Sequence, residues 1–285
     1  MLDLSVALPD SSLSEDQTTR DKSAKIGQIA RACAIFRVGR IFVYHDQLSH
    51  VRAEDVNLMI TLLTYLDTPQ YLRKAIYPRM RELEYAGILH PIKAPHHKSA
   101  QNIRQVRRGE IRVGLVRKQN KEFFVEVGLN TLIPFEGAGH EGKKVNVVFL
   151  SEYPNLRARE AEEREISEYW GYKVTKIPSL TELLSRASDS TTILTSRKGT
   201  IFRNIHAKLE QRLSRTQKLL VVFGSPKNGV HDILAKEIGK YHFRENELVV
   251  NMFQNQGTET VRLEEAILGT FSILNACLIS TPFGS

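Results

Sequence analysis

The chain has 285 residues, 41% hydrophobic and 25% charged, with a formal net charge of +8. That composition fits an ordinary globular protein and excludes a collagen-like, a disulfide-rich or an extensively disordered chain. No apolar run approaches the ~20 residues of a membrane span, and the two cysteines, Cys33 and Cys277, lack metal-type spacing.

The excess positive charge makes a polyanion the first partner to consider. The opening residues carry Asp3, Asp10 and Glu15 rather than a basic and apolar leader. A cytosolic protein with two buried thiols is therefore expected.

Leu2 to Leu8 alternates as a strand that Pro9 stops, and Ser14 with Gln17 has the spacing of a capping box for a helix running to about Arg37. Ile41 to Tyr44 reads as a second buried strand. Helices follow over 53–66, 69–74 and 78–84, with Pro69 and Pro78 suited to first-turn positions.

From residue 89 the pattern becomes short alternating segments, Ile111 to Val116, Glu122 to Val127 and Val145 to Phe149, which predict a small antiparallel barrel or sandwich. Residues 89–151 hold eleven basic against five acidic side chains, most of the chain's excess charge. Arg104, Arg107, Arg108, Arg112, Arg117 and Lys118 are the candidates for a groove that tracks phosphates.

Beyond it, Arg157 to Glu165 reads as a solvated helical face. Strands over 172–177, 191–195, 218–223 and 248–251 then alternate with helices over 180–187, 201–213, 230–239 and 263–275, the pattern of a mostly parallel sheet covered on both faces. The division expected is 1–88 and 152–285 as two parts of one α/β domain, with 89–151 inserted.

Three loops, Thr195 to Gly199, Gly224 to Gly229 and Asn251 to Arg262, each follow a separate strand, and open α/β sheets bind small molecules at such strand ends. Gly229 is followed by Val230 and His231 rather than Lys and Ser/Thr, and no Gly-x-Gly-x-x-Gly follows a strand. A triphosphate loop and a dinucleotide fingerprint are both disfavoured. His96 and His97 have no cysteine or helical histidine partner, so no zinc site is expected.

Thr195-Ser-x-x-Gly199, Phe223-Gly-Ser-Pro-x-x-Gly229 and Asn251-x-x-x-x-Gln-Gly257-x-x-Thr260-x-Arg262-x-Glu-Glu-Ala266, in this order, resemble the SPOUT superfamily of S-adenosylmethionine-dependent RNA methyltransferases. The resemblance is closest to its archaeal and eukaryotic branch, which carries an inserted OB-like barrel and whose eukaryotic members are described as uridine-N3 methyltransferases. It implies a Rossmann-like sheet with a C-terminal trefoil knot, a homodimer, and methylation of rRNA or tRNA. It also implies donor binding by Thr195, Ser196, Lys198, Gly224, Asn251, Met252, Gly257 and Thr260.

Gly27-x-Ile-x-Arg31-x-x-x-x-Phe36 is similar to the motif that places an arginine at the reaction centre of SPOUT ribose methyltransferases, although Lys25 stands where those relatives have asparagine. Arg31 and Arg262 are thus the candidate catalytic cations, and Glu264 and Glu265 candidate bases. A second apolar face on the C-terminal helix, at Leu268, Phe271 and Ala276, agrees with the implied dimer. Two alternatives stay open: a non-catalytic RNA-binding protein, or methylation of ribose 2′-oxygen or pseudouridine.

Overall fold

The structure is a computed structural model and describes residues 2–98, 102–137 and 139–278. The elements in chain order are β1 (Asp3–Pro9), α1 (Thr19–Ile35), β2 (Arg40–Tyr44), α2 (Ala53–Asp67), α3 (Gln70–Ile76), β3 (Ile111–Gln119), β4 (Glu122–Glu126), β5 (Leu132–Glu136), β6 (Lys144–Phe149) and β7 (Ala158–Glu160). They continue with β8 (Lys173–Ile177), α4 (Leu180–Arg186), β9 (Thr191–Ile201), α5 (Phe202–Thr216), β10 (Lys218–Val222), α6 (Val230–Ile238), β11 (Glu247–Asn251) and α7 (Leu263–Leu278). Two compact units result, one from Met1–Thr64, Glu84–His90 and Tyr172–Ser285, the other from Tyr65–Leu83 and Pro91–Gly171.

The first unit is built on a six-stranded sheet in the order β11-β9-β10-β1-β2-β8, with every pairing parallel. Its strands read as Val/Ile/Leu runs because a parallel sheet is covered on both faces. Ala7, Tyr44, Leu194, Leu220 and Val222 from the strands pack with Leu180, Leu184, Ile233 and Leu234 from the helices in one cluster. β1 lies between β2 and β10. Successive connections run outward from it to β2 and β8, then cross to β9, so strand order reverses between β1 and β10.

Two elements of this unit differ from the sequence expectation. α1 begins at Thr19, capped by Thr18 Oγ1 accepting from the Asp21 amide at 3.1 Å. Ser14 instead sits in a turn whose Ser11 hydroxyl donates to buried Asp46. β9 does not end at Thr195. It resumes at Thr200, so Leu194 pairs with Val249 and Thr200 with Val250 while five residues loop out between them.

The second unit holds a closed barrel in the order β3-β4-β5-β7-β6, lined by Val116, Val125, Val127, Ile133, Val147 and Phe149. β5 was hidden in the sequence by Pro134, an exposed position that strand patterns discount. Arg157 to Glu165 is not a helical face. Its Ala158–Glu160 is the strand that closes the barrel between β5 and β6, and Glu163–Glu165 is one 3-10 turn. Residues 78–84 likewise form only a 3-10 turn, over Arg81–Leu83. His96 and His97 each place Nε2 at 2.8 Å from the Asp67 carbonyl, a structural role at the end of α2. Of the two thiols Cys33 is buried, but Cys277 is exposed near the end of α7, against expectation.

Tyr44, fully buried at the end of β2, donates its hydroxyl to the Phe223 carbonyl at 2.6 Å, fastening the exit of β10 from across β1. Tyr44→Phe leaves that carbonyl without its donor and is expected to cost about 1 to 3 kcal/mol. Urea unfolding measures it, and an unchanged midpoint would contradict the role.

Candidate functional site

At the carboxyl edge of the sheet, the excursion within β9 and the loops after β10 and β11 enclose a cleft of about 750 Å³. Gly199 closes the first loop. A Cβ there would lie 2.7 Å from the Val250 backbone, so only glycine lets β9 rejoin β11. Thr195 Oγ1 donates to the Val222 carbonyl at 2.9 Å, which ties this loop to β10. The second loop turns tightly at Gly224, where a Cβ would lie 3.0 Å from the Asn228 carbonyl oxygen. Ser225 and Asn228 close it with reciprocal backbone and hydroxyl bonds of 2.9 and 3.0 Å.

The third loop is stitched to the first. Asn251 Nδ2 donates to the Arg197 carbonyl at 3.0 Å, its Oδ1 accepts from the Phe253 amide at 2.9 Å, and the Arg197 guanidinium donates to the Glu259 carbonyl at 2.9 Å. Arg197 was missed in the sequence, because a cation whose partner is a carbonyl 62 residues away leaves no local signal.

Thr195, Ser196, Lys198, Gly224, Asn251, Met252, Thr260 and Arg262 all line this one cleft. Gly257 does not, and a Cβ added to it meets nothing within 4 Å. Arg31, half-buried on α1, also lies outside the lining. Glu265 caps α7, accepting from the Arg262 amide at 3.0 Å, the role expected of a first-turn carboxylate. Glu264 Oε2 has no hydrogen-bond partner and stands 3.8 Å from Lys25 Nζ.

Lys25 also lines the cleft. It is only 6% exposed and is held by Asp16 Oδ2 at 2.9 Å. In sequence Lys25 is only the position where the similar motif has asparagine; its burial beside Asp16 depends on a contact nine residues back in the chain. Thr270 of α7 is fully buried in the cleft wall, and its Oγ1 has no hydrogen-bond partner. A helical threonine ordinarily satisfies its hydroxyl on the preceding turn, so this donor is left for whatever enters the cleft.

A second cleft of about 620 Å³ adjoins it at the ends of β1 and β2, with Asp10, Ser11, Asp16, Ser49 and Arg52 in its walls. Lys227 and Asn228 belong to both clefts. Behind the second one, buried Asp46 accepts from the Ser11 and Ser49 hydroxyls at 2.7 and 2.6 Å, and Asp10 accepts from the Asp46 amide at 2.9 Å. These bonds fix the two chain segments that form its rim.

The barrel's basic residues do not act alike. Arg104, Arg107, Arg108 and Lys118 are exposed. Arg117 pairs with Glu126 at 2.7 Å, and Arg107 is 3.5 Å from Glu152. Arg112 is withdrawn from any surface: its side chain is wholly buried, with Nε on Glu110 at 2.8 Å and Nη1 on the Val127 carbonyl at 3.3 Å. Period two did not reveal this, because β3 is buried on both faces from Arg112 to Val116. Among the described residues no group of three or more His, Cys, Asp or Glu could hold a metal ion, and no helix is long and apolar enough to cross a membrane.

Residues 3–274 match the profile of a family described as "Putative RNA methyltransferase". The chain belongs to this family. It is 31% identical to a Drosophila melanogaster "28S rRNA (uridine-N(3))-methyltransferase" over 93% of its own length and 60% of that protein's. The human protein of the same description is 29% identical, over 97% of this chain and 78% of the relative. An uncharacterised protein of Haloarcula marismortui is 29% identical over 95% of this chain and 98% of its own. This chain thus spans less than two thirds of the fly relative and nearly all of the archaeal one.

Thr270→Val removes a buried hydroxyl that bonds to nothing in the protein. It is expected to leave the thermal midpoint of the protein unchanged or raised, since no internal hydrogen bond is lost. A fall equivalent to ~1 kcal/mol would show that the hydroxyl is structural.

Proposed function

We propose that this chain transfers a methyl group from S-adenosylmethionine to N3 of a uridine in rRNA, acting in the cytoplasm. The observation that carries the reading is the convergence of eight motif residues from three separate loops on one cleft. Ligand pockets commonly enclose about 300 to 1,000 Å³, and this one falls within that range. The donor has no phosphate, which agrees with a site made of close backbone turns at Gly199 and Gly224 rather than a phosphate loop. The orphaned Thr270 hydroxyl and the charged Lys198 and Arg197 fit a ligand with an amino-acid end and a heteroaromatic end.

Thr195, Ser196, Lys198, Gly224, Asn251, Met252 and Thr260 are proposed to hold the donor. Gly257 is retained as a turn residue outside the cleft wall. When bound, the donor supplies a methyl group made electrophilic by its sulfonium. The protein's task is to align the nucleophile and favour loss of its proton. A uridine imide that has lost its proton carries charge on two carbonyl oxygens, and the Arg262 guanidinium in the cleft can stabilise it.

The reading includes a trefoil knot in the C-terminal half of the sheet and a two-fold homodimer. Ile35 at the end of α1 is 56% exposed and Leu268 on α7 is 47% exposed, apolar surface on two helices that pack together. Arg31, outside its own cleft, is then proposed to serve the partner's. Light scattering should give twice the 32.4 kDa chain mass.

Incubation with S-adenosylmethionine and rRNA from a strain lacking this chain should yield methyluridine modified at N3, read by nucleoside mass spectrometry. Methylation only of ribose would overturn the acceptor assignment. Gly224→Val should abolish donor binding in calorimetric titration, and full affinity would sink the donor site.

The barrel is proposed to hold RNA through Arg104, Arg107, Arg108, Arg117 and Lys118, without Arg112. Arg107→Glu with Arg108→Glu should weaken RNA binding and flatten its salt dependence while leaving donor affinity intact. Salt-dependent RNA titrations of both proteins test this, and indifference to the reversal would move the RNA surface elsewhere.

A further inference from the structure

Two clefts open side by side at the carboxyl edge of the sheet, and four residues make up their common boundary. Lys227 and Asn228 line both. Lys25 lines the larger cleft, Asp16 the smaller, and the two are joined across the boundary by a 2.9 Å ion pair. Lys25 is 6% exposed, and its second acidic neighbour, Glu264 Oε2, makes no hydrogen bond. A buried ammonium held between two carboxylates, at the meeting point of two ligand-sized spaces, is costly to maintain unless something uses it.

We propose that the smaller cleft seats the acceptor nucleoside, with its imide edge against the Lys25–Asp16 pair. The inference rests on the reading of the larger cleft as the donor site. A methyl group moves between two bound molecules only where they touch, so the reacting atoms belong at the shared boundary. Uridine presents two carbonyl acceptors on either side of one N–H donor. Lys25 donates to a carbonyl and Asp16 accepts the N3 proton.

In the transfer, the N3–H proton passes to the Asp16 carboxylate and the N3 lone pair forms the bond to the methyl carbon. The electrons of the broken carbon–sulfur bond return to sulfur, which leaves as a neutral thioether. Asp16 afterwards releases its proton to water. The Lys25 ammonium offsets the charge that develops on the carbonyl oxygen. Cytidine has an amino donor where uridine has a carbonyl and no proton on N3. It would set a donor against the ammonium and offer Asp16 no N3 proton, so the same pair selects uridine.

Asp16→Asn keeps a side chain of the same shape but removes the proton acceptor. Methyl transfer is expected to fall by about 100-fold or more in kcat with the donor still bound. The buried Lys25 loses its charge partner, so the thermal midpoint falls, and the assay is run below the variant's midpoint with folding checked by circular dichroism. A thiouridine-substituted oligouridylate, irradiated on the protein without donor, should crosslink to peptides containing Asp10 to Gln17 or Leu48 to Arg52. Ser14→Trp, an exposed rim position of this cleft, should suppress those crosslinks and spare donor binding.

Crosslinks confined to other peptides, or unaltered kcat in Asp16→Asn, would overturn the acceptor cleft while leaving the donor assignment standing. Failure of the parent protein to bind S-adenosylmethionine would instead overturn the donor reading on which the inference depends.

Discussion

The reversal of strand order between β1 and β10 is the constraint on which the rest of this protein depends. Parallel strands send all their following loops to one edge. Where neighbouring connections leave in opposite directions, a crevice opens that no crossover covers. Both clefts lie along that crevice, one under the loops of β9, β10 and β11, the other at the ends of β1 and β2. The Tyr44 hydroxyl on the Phe223 carbonyl spans it from below and fixes the point where the β10 loop starts.

Precision at that edge comes from backbone proximity more than from rigid side chains. Gly199 lets a five-residue excursion rejoin the strand it left, and Gly224 lets the next loop double back on Asn228. Asn251 and Arg197 then bind loop to loop through carbonyl oxygens. These bonds satisfy the loops internally, while Thr270 Oγ1 and Glu264 Oε2 stay unbonded beside them. A buried polar atom without a partner costs on the order of 1 to 3 kcal/mol. The Thr270 hydroxyl, in the wall of the cleft, marks it as a place shaped for a ligand rather than for stability alone.

The sheet was legible because its strands are apolar runs bounded by Gly or Pro, and the three cleft loops because their Gly-containing motifs fall at the carboxyl ends of those runs. Pattern reading failed where an element carries little apolar signal. β7 is Ala-Arg-Glu, β5 contains Pro134, and the start of α1 depends on Thr18 rather than the better-spaced Ser14. Charge was the least legible property. Arg112 and Lys25 look like surface cations in sequence, yet both are buried and paired across space, with Glu110 and with Asp16. The barrel's surplus is likewise reduced by Glu152 and Glu160, acidic residues of the return segment that pair with Arg107 and Lys143.

If donor and acceptor meet at the boundary of the two clefts as proposed, a crystal structure with S-adenosylhomocysteine and a uridine-containing oligonucleotide will hold the adenosyl group among the loops of β9, β10 and β11. The sulfur will face the Lys25–Asp16 pair, and a uridine ring will lie in the cleft of Asp10 and Ser49. A product molecule in the larger cleft with its sulfur turned away from Asp16, or a uridine bound only on the barrel, would contradict the proposal.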